Sequence, residues 1–170
     1  VEILISVVVL TKNEEKNIGD TPYYSDCRRS AGKLRFLCKC VRIAFGEKTV
    51  NFGDKVRYHL YFGNEEGAPG TLITFFAWPG AKNGKVGDGE VGVSSYVVPV
   101  GAIEFWKTRL ESYEVSYTEI ERFGEQYLQF QDPHGLFLEI VEREAGAHNS
   151  WEFGTVNEDV AIKGLGGVTL

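Results

Sequence analysis

The sequence predicts an α+β fold in which two strand-rich units pair, and three observations support this class. Runs of Val, Thr, Tyr and Phe are separated by Gly- and Pro-rich breaks, which is typical of strands. A single amphipathic helix lies in the second half. Two stretches of the chain also resemble each other. We therefore expect paired βαβββ units whose mixed sheet forms a cup, with an incomplete or atypical first unit.

The strand pattern is strongest in the middle and at the end of the chain. The predicted strands lie at 47–52, 56–62, 71–78, 91–98, 127–130 and 136–141. The apolar run Ile3–Leu10 predicts a further buried strand. Because this run is only about eight residues long, it is too short to cross a membrane.

The helix is predicted at 101–113. Ile103, Trp106, Leu110 and Tyr113 fall on one helical face. We expect Trp106 and Leu110 to pack onto the convex side of the sheet.

An internal repeat is visible when YHLYFGNEEGAPGTLITFF is aligned with QYLQFQDPHGLFLEIV. With a first turn about three residues longer, Gly70 aligns with Gly135 and Thr74 with Glu139. Thr74 and Glu139 are therefore predicted to face one concavity.

Composition limits the classes of partner. The chain has 170 residues and a net charge of -6, and no basic stripe is interleaved with aromatic residues, so we expect no nucleic-acid partner and no membrane partner. A small neutral or cationic ligand fits better. Three cysteines, two of them at Cys38 and Cys40, indicate reduced thiols in a cytoplasmic protein.

Glu139 is the most informative candidate residue. In a strand at 136–141 it shares a face with Phe137 and Val141, so a carboxylate lies in an apolar row. A buried carboxylate pairs, becomes neutral or binds a metal. Both a metal ligand and a sheet carboxylate satisfied by a tyrosine, a lysine or water remain open at this point.

Four segments together resemble one module of the two-module ring-cleaving dioxygenases. They are KTVNFGDKVRYHLYFGNEEGAPGTLITFFAWPG, VSSYVVPVGAIEFWKTRLE, DPHGLFLEIVE and AIKGLGGVTL. These enzymes belong to the glyoxalase, bleomycin-resistance and dioxygenase superfamily, also called vicinal oxygen chelate proteins. The resemblance runs from about residue 47 to 170. It implies Fe(II), O2 and a small dihydroxylated aromatic substrate, with Glu139 at the position of the metal carboxylate.

The histidines expected from this resemblance are missing. Gly92 and Val93 stand where a metal-binding module has histidine, and Gly166 stands where relatives commonly read HGVTL. Of the three histidines, His134 and His148 fall in predicted turns. We therefore predict that this chain alone does not bind Fe(II) tightly, and that a second module or a homodimer completes the cup.

His59 and Tyr61 are the candidate substrate-binding residues, because they share one face of a predicted strand. A packed or edge-exposed imidazole is the alternative for His59. Tyr96 and Phe76 are interpreted as core residues.

The predicted organisation has three parts. Residues 1–46 form an atypical N-terminal segment, 47–154 a glyoxalase-like module, and 155–170 a linker with the first strand of a truncated second module. Within the first part, 5–18 resemble the opening of family-2 glycosyltransferases, without the Asp-x-Asp that would hold their metal. Residues 19–44 are predicted to be irregular or poorly packed.

Two functions follow from these observations. The first is a fragment of a ring-cleaving dioxygenase that is inactive as an isolated chain. The alternative is a metal-free module of the same fold that binds a small aromatic or drug-like ligand.

Overall fold

A computed structural model describes residues 2–6, 36–51, 54–78, 91–146, 149, 152 and 154–170. Its elements, in chain order, are β1 Glu2–Ser6, a π-helix Phe36–Val41, β2 Ala44–Asn51, β3 Asp54–Gly63, β4 Ile73–Trp78, β5 Val93–Val98, α1 Ile103–Ser112, β6 Tyr117–Arg122, β7 Glu125–Gln131, β8 Phe137–Glu142 and β9 Gly164–Thr169. The strands form two sheets, one of four strands and one of five.

The five-stranded sheet contains a complete βαβββ unit. Its strand order is β6-β7-β8-β5-β9. β5 and β8 are parallel, while β7 is antiparallel to both β6 and β8. Parallel neighbours require a crossover connection, and α1 begins that connection directly after β5.

The four-stranded sheet has the matching order, β2-β3-β4-β1, but one strand runs the other way. β1 pairs with β4 in antiparallel fashion, whereas its counterpart β5 is parallel to β8. The predicted pair of units with an atypical first unit is therefore confirmed.

The turns before β4 and β8 have the same construction, as the internal repeat predicts. Gly70 and Gly135 have φ of 82° and 86°, a left-handed conformation that glycine adopts without a steric penalty. In the first turn the side chain of Asn64 accepts a hydrogen bond from the Ala68 N–H. In the second, Asp132 accepts from the backbone of His134 and Leu136. An Asx side chain and a left-handed glycine thus shape both turns.

The apolar core joins both sheets, α1 and the π-helix. Trp106 and Leu110 of α1 are fully buried in it, as predicted, and the Trp106 indole N–H donates to the Val160 carbonyl at 2.9 Å. The sheets contribute alternate residues: Leu60, Phe62, Ile73 and Phe75 from one, Tyr96, Leu128, Phe130, Leu138 and Ile140 from the other. Because side chains alternate along a strand, the intervening residues face away from this core.

The N-terminal segment differs from the prediction where it is described. Residues 36–41 are not irregular, since they form a π-helix with Phe36, Leu37, Cys40 and Val41 buried. Arg109 of α1 explains why this segment is helical, because its guanidinium donates hydrogen bonds to the carbonyls of Lys39 and Cys40 near the end of the π-helix. Residues 7–35 lie outside the described residues, so the second half of the predicted strand at 3–10 does too.

Strand β6 is absent from the predicted set. Its sequence YTEIER carries charges on both faces, and half of its residues are exposed while none is buried, because it is the edge strand of the sheet. Strand prediction relies on apolar alternation, which an exposed edge does not need.

β9 completes the five-stranded sheet by pairing with β5 in antiparallel fashion. The division at residues 46 and 154 stays a prediction. Within the described ranges, no helix has the length and apolar composition that a membrane span requires.

Candidate functional site

The face of the five-stranded sheet that turns away from the core carries a connected group of polar side chains, which we call the polar face. Its members are Ser95, Arg122, Glu125, Tyr127, Gln129, Glu139 and Arg143. The register aligns them, since Glu139 lies beside Ser95 on one neighbouring strand and Gln129 on the other. The small apolar cluster of Val97, Tyr127 and Val141 lies on the same face.

Glu139 is fully buried and both of its oxygens accept hydrogen bonds. Oε2 accepts from the Ser95 hydroxyl at 2.8 Å and from Arg122 Nη2 at 2.5 Å, while Oε1 accepts from Gln129 Nε2 at 2.8 Å. From the sequence, a tyrosine, a lysine or water is the expected alternative to a metal at this carboxylate. The partners are instead a guanidinium, an amide and a hydroxyl.

Arg122 joins Glu139 to a second ion pair. Its guanidinium lies 4.6 Å above the Tyr127 ring, a cation–π geometry. The Tyr127 hydroxyl donates to Glu125 at 2.6 Å, and Glu125 accepts two hydrogen bonds from Arg143. These bonds from Arg143 and Tyr127 lower the pKa of Glu125 to about 2. The pKa of Arg143 is raised, chiefly by its hydrogen bonds to Glu125.

The positions where a histidine is missing lie at the β5–β9 edge. Val93 pairs with Phe137 and Thr169, and the Gly92 N–H donates to the Thr169 carbonyl. The Gly166 carbonyl accepts from Arg143 Nη1 at 2.8 Å. A β-carbon at Gly166 would lie 2.5 Å from Val97 Cγ2, so any larger residue requires Val97 to move.

His59 and Tyr61 are brought together on β3 of the other sheet. The Tyr61 hydroxyl lies 2.8 Å from His59 Nδ1, and the two rings are 4.1 Å apart. Burial lowers the pKa of His59, which favours the neutral imidazole. Tyr61 pairs with Thr74, which is fully buried and turned away from the core. Thr74 and Glu139 therefore hold equivalent positions in the two sheets.

The described residues do not fit a metal ion. No group of three His, Cys, Asp or Glu within the described ranges is placed to hold one. Glu139 accepts hydrogen bonds from three donors, one of them a cation, and a metal ion would compete with them for the carboxylate oxygens. Its assignment as a metal ligand stays a prediction from resemblance.

Sequence reasoning missed the partners of Glu139. Ser95 and Gln129 could have been found from strand register, since each is directly beside Glu139. Arg122 could not, because β6 was not predicted. Tyr96 is buried in the core as expected. His134 lies in the turn before β8, also as expected. The Phe76 side chain and His148 lie outside the described residues.

Comparison with known structures places the fold. A glyoxalase/bleomycin-resistance/dioxygenase domain from Frankia sp. EAN1pec shares the fold at a TM-score of 0.52, with 15% identity over 69% of this chain and 86% of that chain. No family model matches the sequence. The chain has the fold of the glyoxalase, bleomycin-resistance and dioxygenase superfamily.

Within that superfamily it is similar to ring-cleaving dioxygenases. MhqO of Bacillus subtilis, which carries that name, is 67% identical over 124 residues, 73% of this chain and 40% of MhqO. The chlorohydroquinone/hydroquinone 1,2-dioxygenase of Sphingobium indicum is 38% identical over 79% of this chain and 43% of that enzyme. A Bacillus subtilis dioxygenase crystal structure matches with a TM-score of 0.77 and 62% identity, over 79% of this chain and 44% of that chain. The chain spans less than half the length of these relatives.

Proposed function

We propose that this chain is part of a ring-cleaving dioxygenase that opens a dihydroxylated aromatic such as hydroquinone with O2. The similarity to MhqO carries the proposal. The similarity to the hydroquinone dioxygenase of Sphingobium indicum supports the proposed substrate class. The chain supplies one half of the cup, and a second module or a second copy supplies the other. A cytoplasmic location is part of the proposal, because Cys38 and Cys40 are too close in sequence to close a useful disulfide loop.

Fe(II) is the proposed cofactor of the complete enzyme, and it would polarise the phenolic oxygens and bring substrate and O2 together. The described residues do not offer a site for it. We therefore assign no step of the reaction to Glu139.

His59 and Tyr61 are the proposed substrate contacts of this half. A neutral imidazole beside a phenol presents one donor and one acceptor, which suits an aromatic hydroxyl group. Tyr61→Phe should weaken anaerobic binding of hydroquinone to the chain by about tenfold, the effect of one lost hydrogen bond. Isothermal titration calorimetry measures this, with exposed Tyr113→Phe as the matched control.

The activity is tested with two proteins, the chain alone and the chain extended by the second half of MhqO. After anaerobic loading with ferrous iron, metal analysis and hydroquinone-dependent oxygen uptake are measured. We expect iron and uptake in the extended protein only. An extended protein that holds iron but consumes no oxygen would contradict the proposed reaction.

The same loading is repeated with Glu139→Gln. Because Glu139 is predicted to contribute no tight iron binding, both forms of the isolated chain should remain free of stoichiometric iron. Iron and oxygen uptake in the wild-type chain, lost in Glu139→Gln, would make Glu139 a working ligand.

A metal-free binding module is the second candidate, and the hydrogen bonds of Glu139 to Arg122, Gln129 and Ser95 favour it. In that case hydroquinone binding to the chain is unchanged by a chelator. Binding that disappears with chelator and returns with Fe(II) would reject this candidate.

A further inference from the structure

We propose that Arg122 is the permanent counter-ion of Glu139 and closes this carboxylate to metal ions. The inference concerns the residues of this chain and does not depend on the proposed reaction. Its consequence is that any metal used by the complete enzyme is bound by groups other than Glu139.

The first support is the set of hydrogen bonds that the Glu139 carboxylate accepts. Glu139 is 0% exposed, and its oxygens accept one hydrogen bond at Oε1 and two at Oε2. An incoming cation at Oε2 would have to displace Arg122, which would separate the guanidinium from its carboxylate partner. Ser95 and Gln129 are neutral donors aimed at the carboxylate, an arrangement that suits an anion already in place.

The second support is that Arg122 is held from the other side. Its side chain is 28% exposed and lies over the Tyr127 ring, whose hydroxyl is fixed by the Glu125–Arg143 pair. Rotation of Arg122 away from Glu139 therefore loses both the ion pair and the cation–π contact.

The third support comes from the neighbouring strand. Arg143 contacts the Gly166 carbonyl, and Nη1 would lie 3.2 Å from a β-carbon at that position. With Val97 Cγ2 only 2.5 Å from the same point, any side chain larger than that of glycine requires Val97 and the end of Arg143 to move. Two arginines thus occupy the space beside Glu139 and beside Gly166.

A double-mutant cycle tests the pairing through urea unfolding of Arg122→Gln, Glu139→Gln and the double variant. Removing Arg122 alone should raise the unfolding equilibrium constant about a hundredfold or more, because a buried carboxylate loses its counter-ion. The double variant should recover most of this loss. If the losses of unfolding free energy in the two single variants simply add in the double variant, the proposal is overturned. Arg122→Lys, which keeps the charge, should lie between wild type and Arg122→Gln, and it serves if Arg122→Gln does not fold.

The effect of Mn²⁺ on the melting temperature provides a second test. If the ion pair had only a structural role, its removal would not create a response to Mn²⁺. We expect 1 mM Mn²⁺, about the scale of weak carboxylate binding, to leave the melting temperature of the wild-type chain unchanged and to raise that of Arg122→Gln. A Mn²⁺-dependent rise in the wild-type chain that Glu139→Gln abolishes would overturn the proposal.

Discussion

Phe123 lies in the β6–β7 turn, where its side chain is 94% exposed and its φ is 54°. The left-handed region is unfavourable for a bulky residue by about 1–2 kcal/mol, and Asn or Gly is usual in such two-residue turns. We expect Phe123→Asn to stabilise the chain by about 1 kcal/mol, measured by urea unfolding. Gly124→Ala should instead destabilise the chain, because Gly124 has a φ of 75°. Unchanged stability in Phe123→Asn would mean that the turn carries no strain.

Glu125 gives the fold a defined acid sensitivity. Its pKa falls from 4.5 to about 2 on folding, so its contribution to stability is fully present above about pH 5 and is lost as the pH falls towards 2. Glu125→Gln should therefore flatten the decline of the urea midpoint between pH 5 and pH 2. Exposed Glu158→Gln is the matched control. An identical decline in wild type and Glu125→Gln would remove Glu125 from this role.

At the scale of elements, the two turns before β4 and β8 should respond alike. A β-carbon at Gly70 or Gly135 meets nothing within 4 Å, so the penalty for alanine comes only from the left-handed backbone. Gly70→Ala and Gly135→Ala should each destabilise the chain by about 1–2 kcal/mol and should add in combination. Thermal or urea unfolding measures the three variants. A large difference between the two single variants would contradict the equivalence of the turns.

The contact between α1 and the π-helix can be tested by measuring how fast the Cys40 thiol reacts. Cys40 is buried, and burial raises its pKa to about 11, although the nearby Arg109 opposes the shift. Arg109→Gln releases the carbonyls of Lys39 and Cys40, so Cys40 should react with a thiol reagent at least about tenfold faster at pH 8. Mass spectrometry identifies the labelled site. Thr155→Ala, which removes only the third contact of Arg109, should change this rate little.

At the scale of the whole molecule, the sequence predicts the paired units because their signals are local. Apolar alternation marks the buried strands, the spacing of Trp106 and Leu110 marks α1, and the Gly70/Gly135 alignment marks the repeat. What it cannot predict depends on long-range contacts. Arg122 reaches Glu139 from an exposed edge strand, and Arg109 orders a π-helix some 70 positions away in the sequence. Neither pairing produces a periodic pattern in the sequence.

The reversed direction of β1 decides how the first unit completes its sheet. Because β1 runs opposite to β4, it leaves the sheet at the end where β2 enters, whereas β5 and β6 run in the same direction and need a crossover to carry the chain back along the sheet. Main-chain pairing with β1 covers one side of β4, from Glu2 opposite Trp78 to Ser6 opposite Thr74. An uncovered strand at that place would present backbone donors and acceptors to which an extended peptide segment can add. The pairing of β1 thus protects β4 from strand addition by other polypeptides.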